Sequence, residues 1–275
     1  MVPLARKKIW FRQVAAEGVE TRMKADWSKL RGGEVSLGAF LSTGYPVNAE
    51  VVGQAGFDFA IIDLEHGMGG ERDVLGQIYA LSATPAAAVV RVESHQRQRV
   101  HRVLDVGAQG VMFPRVESAA EARECVEAMR YPPDGQRGVA TVVRAANYGA
   151  RYVDYRDETR QSLLSILQIE SAEGVRNVEE IAAMDGVDVL FVGPMDLSTS
   201  LGVFRQYDHP LFVEAVAKTI AAAQRNKLAL GILLSSPADY RKYYDLGFRC
   251  ITCGTDVLFL RDAAQAMARA LRAGA

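Results

Sequence analysis

The sequence predicts an α/β protein built as a (β/α)8 barrel, with a single barrel domain over residues 35–275 and an N-terminal extension or cap over residues 1–34. Three observations predict it. From about residue 35, short apolar and β-branched runs alternate with longer helix-patterned segments, which is the mark of parallel β/α units. The runs number eight, the count at which such a sheet closes. The chain has 275 residues, 49% of them hydrophobic, enough for one large core and within the size of one barrel.

In chain order, the expected strands are VSLGAF (35–40), FAIIDLEH (59–66), AAVVRV (87–92), GVMFPRV (110–116), LLSILQIE (163–170), VDVLFVGP (187–194), ALGILL (229–234) and CITCGTD (250–256). Between them, residues 48–56, 120–130, 172–184, 209–226 and 236–247 repeat apolar positions at helical spacing. Several of these segments open on Asn, Ser or His-Pro and close on Gly or Asn, as helix ends do. Residues 94–102, SHQRQRVHR, read as a solvated helix start, so His95 and His101 are not expected to be ligands; His209 is expected at a helix N-terminus. Residues 131–155 form a connection longer than a usual β/α loop, and long ordered loops tend to be functional. The C-terminal RDAAQAMARALRAGA is an amphipathic, alanine-rich tail.

Composition removes several classes of partner. Lys and Arg total 32 against 33 Asp and Glu, a formal net charge of -1, so no basic field favours nucleic acid or an anionic membrane surface. No apolar stretch approaches the ~20 residues that span a bilayer, and no secretory leader is apparent, so the cytoplasm is the expected compartment. Three cysteines are too few for a disulfide framework; Cys250 and Cys253 lie in a strand-like run and are expected to be buried or strand-end thiols.

In a barrel the C-terminal strand ends face the active site, so position alone makes each polar residue there a candidate. They are Asp63, Glu65 and His66 after the second strand, Arg91 at the third, Arg115 at the fourth, Gln168 and Glu170 at the fifth, and Gly193 and Asp196 at the sixth. Glu170 and Asp196 end adjacent runs and deliver two hard oxygen donors to one place, a donor set suited to magnesium, manganese or a similar divalent ion. With an arginine for an anionic oxygen and a histidine for proton transfer, the parts for forming an enolate are present. Asp63 and Glu65 are read as supporting or structural carboxylates.

The motifs DLEHG (63–67), VRV around Arg91, LDVGAQGVMFPRV (104–116), YPPDGQRGV (131–139), ILQIES (166–171) and FVGPMDLSTSLG (191–202) resemble those of the metal-dependent class II pyruvate aldolases of the HpcH/HpaI family. This family includes 4-hydroxy-2-oxoheptanedioate and 2-dehydro-3-deoxyglucarate aldolases. The similarity runs from about Leu37 to Phe259. The resemblance implies that Glu170 and Asp196 ligate the divalent ion, Mg2+ or Mn2+ with Co2+ or Zn2+ as alternatives. It implies that Arg91 faces the developing enolate oxygen and that His66 is the acid/base, hydrogen-bonded to Asp105. The substrate contacts implied are Phe40, Gln168, Gly193, Met195, Asp196 and Leu233. Phe40 stands where several members carry tryptophan, a change that touches the choice of aldehyde. The implied partners are a pyruvate-type 2-oxo acid and an aldehyde, in a homo-oligomer, a hexamer with exchanged C-terminal helices. Two other readings remain: an acyl-coenzyme A lyase or citrate-forming enzyme of the same superfamily, and a catalytically silent barrel used for binding.

Overall fold

A computed structural model describes residues 25–274. Eight parallel strands close in sequence order: β1 Ser36–Leu41, β2 Phe59–Asp63, β3 Ala87–Arg91, β4 Gly110–Phe113, β5 Leu164–Ile169, β6 Val189–Val192, β7 Ala229–Leu234 and β8 Phe248–Thr255, with β8 pairing back to β1. All eight runs expected from the sequence are strands. Helices return the chain between them: α1 Ser28–Arg31, α2 Pro46–Gln54, α3 Glu71–Ser82, α4 Arg97–Asp105, α5 Ala119–Met129, α6 Tyr152–Ser162, α7 Ala172–Arg176, α8 Val178–Ala182, α9 Pro194–Ser200, α10 Pro210–Asn226, α11 Tyr240–Asp245 and α12 Asp256–Ala273.

Strand alternation sorts the apolar side chains into two layers. Phe40, Phe59, Ile61, Val89, Met112, Ile166, Phe191 and Cys250 fill the barrel interior. Leu41, Ile62, Val90, Phe113, Leu167, Leu190 and Ile251 pack outward against the helices. Each fully buried Phe or Ile contributes roughly 1.5–3 kcal/mol, and together they hold the strand ends rigidly enough to carry a site.

The interior is stoppered at the N-terminal end of the strands. Trp27 and Leu30 join the inner cluster, and Trp27 meets the Phe59 ring edge-on at 6.2 Å while its Nε1 donates to the Gln109 carbonyl at 2.9 Å. Arg31 fastens this cap, reaching Asp188 at 2.8 Å and the carbonyls of Gln161 and Leu163. The residues that close this end belong to the segment 1–34 expected as an extension or cap, of which residues 1–24 lie outside the described residues.

Three segments depart from the sequence reading. The helix expected over 172–184 breaks at Asn177, whose side chain donates to the Glu117 carbonyl at 2.7 Å and to Glu173 at 2.9 Å instead of facing solvent. Helix α3 was not anticipated, although Val74, Ile78 and Leu81 bury one of its faces. The connection 131–155 is ordered by a buried arginine, Arg137, and by a 3-10 turn over Arg144–Gly149, before α6 begins at Tyr152. That connection also covers His101, which accepts from the Gly138 amide at 3.0 Å and is half-buried rather than solvated.

At the other end of the chain, Asp256 opens α12 and is buried, accepting from the amides of Ser42 at 2.8 Å and Val257 at 2.9 Å and from the Thr43 hydroxyl. Beyond it the helix leaves the barrel: Leu260, Met267 and Leu271 are exposed in the single chain. Cys250 is buried and Cys253 half-buried, both unpaired.

Candidate active site

Glu170 follows β5 and Asp196 is the third residue of α9, which starts directly after β6, so the closed strand order sets the two carboxylates side by side at the C-terminal mouth. Glu170 is buried, with Oε1 accepting from the Arg115 amide at 2.8 Å and Oε2 from Gln168 Nε2 at 2.9 Å. Arg115 makes its bond from the left-handed region, at φ 48°, a conformation uncommon for a residue with a side chain. Gly193 leaves the room: a Cβ there would stand 2.3 Å from Glu170 Oε2. Burial pushes Glu170 up to about 7; the Asp196 and Glu65 charges add to this, and the Arg115 amide and the Arg91 charge oppose it.

Across the mouth, Arg91 and Asp63 are directly paired in the β2–β3 register. Asp63 therefore takes Arg91 in a two-pronged clasp, Nε to Oδ1 at 2.9 Å and Nη2 to Oδ2 at 2.7 Å. Glu65 Oε2 lies 3.0 Å from Arg91 Nη1, close enough for an ion pair but not aligned as a hydrogen bond. The guanidinium lies over the Phe40 ring, 4.9 Å from its centre. Burial works against the Arg91 charge, but the Asp63 bond and the charges of Asp63, Glu65 and Glu170 outweigh it and hold the group above its ordinary range.

His66 stands at the rim, its side chain 68% exposed, with Nε2 3.9 Å from Glu65 Oε1. The turn that carries it is tied back by Asp63 Oδ1, which accepts from the amides of Glu65 and His66. Gly67 closes this turn because a Cβ there would fall 2.0 Å from the Asp63 carbonyl oxygen. Of the other residues singled out in the sequence, Gln168 is buried with its Oε1 unpartnered, Phe40 is buried under Arg91, Leu233 packs half-buried against the inner cluster, and Met195 is exposed beside Asp196.

Asp105 is not brought to this group. It ends α4, the helix that carries the chain back towards the other end of the barrel, and it accepts from Arg137 Nη2 at 2.9 Å. The His66–Asp105 hydrogen bond implied by the resemblance is not made within the chain. The sequence reading also missed the clasp on Arg91. Its signal was present, since Asp63 and Arg91 are the last residues of neighbouring strands.

The model of the HpcH/HpaI aldolase/citrate lyase family matches residues 36–263, which is most of the chain. The chain belongs to the HpcH/HpaI aldolase/citrate lyase family. It is 42% identical over 247 residues to a hydroxypyruvate/pyruvate aldolase of Paraburkholderia phytofirmans, covering 87% of this chain and 95% of that one. It is 35% identical over 239 residues to a 4-hydroxy-2-oxo-heptane-1,7-dioate aldolase of Salmonella arizonae, covering 87% and 91%. Among solved structures, an HpcH/HpaI family protein from Burkholderia cenocepacia superposes with a TM-score of 0.85 at 41% identity, over 89% of this chain and 98% of that one. As a member of the HpcH/HpaI family the chain is a carbon–carbon lyase of the aldolase type, and dependence on a divalent metal is typical of that family.

Proposed function

We propose that this aldolase forms the enolate of pyruvate or hydroxypyruvate at the Glu170–Asp196 pair and adds it reversibly to an aldehyde, giving a 4-hydroxy-2-oxo acid. The observation that carries the reading is the buried Glu170 carboxylate, pushed up to about 7 beside Asp196 and Glu65. Surplus negative charge withdrawn from water calls for a cation, and two carboxylates with open positions suit Mg2+ or Mn2+. Glu170 and Asp196 are the side chains that would hold such an ion, side by side at the ends of neighbouring strands. A divalent ion there supplies positive charge to the ketone oxygen on which negative charge develops.

The chain's own residues do the rest. Asp63 and Glu65 fix Arg91, whose remaining N–H groups are free to donate to that developing oxygen. Buried Gln168 and Gly193 shape the floor on which the 2-oxo acid rests. His66, at the rim, takes the proton of the 4-hydroxyl in cleavage and returns it in addition, a task suited to an imidazole. Phe40, expected from the sequence as a substrate contact, lies buried beneath the Arg91 guanidinium and supports it as an apolar bed rather than facing the incoming aldehyde.

We also propose that copies of the chain assemble, as a hexamer, through the apolar face that α12 leaves exposed. The test of function is solvent-deuterium exchange into the pyruvate methyl group, followed by NMR with Mg2+ or Mn2+ and again with a chelator. Metal-dependent exchange is expected. A folded protein that exchanges with no divalent ion tried would refute the reading and direct attention to coenzyme A thioesters. His66→Ala is expected to reduce cleavage more than exchange; equal loss of both would make His66 the enolisation base.

A further inference from the structure

Asp256, the first residue of α12, is buried at 5% exposure, yet the helix does not need its carboxylate as a cap, because the Thr255 hydroxyl already accepts from the Leu258 amide at 3.2 Å. The two oxygens turn instead to the loop that follows β1. Oδ1 accepts from the Ser42 amide at 2.8 Å and from the Val257 amide at 2.9 Å. Oδ2 accepts from the Thr43 amide at 3.3 Å, from the Thr43 hydroxyl and from Asn48 Nδ2 of α2 at 3.3 Å. Every partner is a donor. The Thr43 oxygen itself accepts from Asn48 Nδ2 at 2.8 Å and from the Tyr45 amide at 3.4 Å, which commits its proton to Asp256. An ionised carboxylate meets such a set; an amide in its place sets a donor against donors.

The loop so held is joined to the turn that carries His66. The Ser42 carbonyl accepts from the Met68 amide at 2.7 Å. Gly44, at φ 78°, lies so close to Gly69 that a Cβ on it would stand 2.9 Å from the Gly69 Cα. Ser42 is thus bonded on both sides, to Asp256 through its amide and to the turn through its carbonyl. We infer that Asp256 is a positioning residue, which from the root of α12 sets the β1 loop and, through that loop, the place of the His66 turn at the mouth. The inference rests on the function proposed above. Arg91 lies outside this linkage, clasped by Asp63 in the β2–β3 register, and Glu170 and Asp196 stand across the barrel after β5 and β6. Disturbing Asp256 therefore reaches the proton transfer assigned to His66 and spares enolate formation.

Asp256→Asn keeps the shape and replaces one acceptor by a donor. Measured on the metal-loaded enzyme well below its melting temperature, the variant is expected to cleave 4-hydroxy-2-oxopentanoate with kcat lower by at least about tenfold, while deuterium exchange into pyruvate and Mn2+ affinity stay within about twofold of wild type. In a His66→Ala background the same substitution should change cleavage by no more than about twofold, because the group it positions is gone. Thr43→Val removes one hydrogen bond and leaves the carboxylate; it should show a smaller loss in the same assay, and it decides the matter if Asp256→Asn does not fold. Unchanged cleavage in the folded variants overturns the inference. So does an equal fall in cleavage and exchange, or an effect that persists in full without His66. Wild-type enzyme that shows no metal-dependent exchange would instead bring down the function itself.

Discussion

Arg91 and Arg137 are both withdrawn from water, both bound to an aspartate and both laid over aromatic rings, yet their surroundings differ in charge. Around Arg91 stand Asp63, Glu65 and Glu170, with Asp196 beyond, so its neighbourhood carries negative charge to spare. Arg137 is fully buried with one carboxylate, Asp105 at 2.9 Å, the Tyr155 hydroxyl at 2.9 Å and the Tyr131 ring at 4.6 Å, and its Nε and Nη1 make no hydrogen bond. On the function proposed, the first arrangement would receive a cation at the mouth. The second spends its charge holding the 131–155 connection against α4. Burial of an arginine is therefore no sign of function by itself; the balance of the charges around it is the better guide.

Removing ligands should separate the two regions most. Glu170→Ala or Asp196→Ala is expected to lower metal-dependent kcat/KM by ~10³-fold or more, with the melting temperature of the metal-free protein little changed. Arg91→Lys keeps a charge but loses the clasp, and should reduce kcat/KM by about 10²-fold. Arg137→Met should do the reverse. It breaks a buried pair at a cost on the order of 3 kcal/mol, read as a drop in denaturant midpoint, while Mn2+ affinity in the folded protein stays within about twofold. A tenfold loss of affinity in that variant would dissolve the distinction.

Acidity gives a gentler test. Glu170 is raised in the fold to about 7, so in metal-free protein its contribution to stability is full below the ordinary carboxylate range and lost as pH rises through about 7. Metal binding has the opposite sense, because the ion takes the ionised form. Mn2+ affinity should weaken by up to tenfold per pH unit below about 7, with proton release visible by calorimetry in two buffers. The smallest effect concerns the thiols. Burial pushes Cys250 up to about 12, so it should resist a thiol reagent until the barrel unfolds.

The eight strands were legible because each is an unbroken apolar run with a fixed place in a repeating unit, and Glu170, Asp196, Arg91 and His66 could be named from their position at strand ends. What escaped depends on distance along the chain. The signal for burying Arg137 is scattered, since its aspartate lies 32 residues away, Tyr131 precedes it in the same connection and Tyr155 comes only in α6, 18 residues on. Asp105 could be given to His66 on resemblance alone, whereas the fold commits it to Arg137 within the chain. Asp63 and Glu65 looked ambiguous because side-chain alternation says nothing of which neighbour a carboxylate reaches after its strand has ended.

The plug made by Trp27 and Leu30 does not govern traffic. The packed interior beneath the strand ends offers no passage with or without the plug, so the candidate site faces solvent at the C-terminal mouth, and Trp27 and Leu30 serve to extend the core at the opposite end. On the binding proposed above, donor and aldehyde would share that mouth, so an aldehyde bound first would stand in the donor's way.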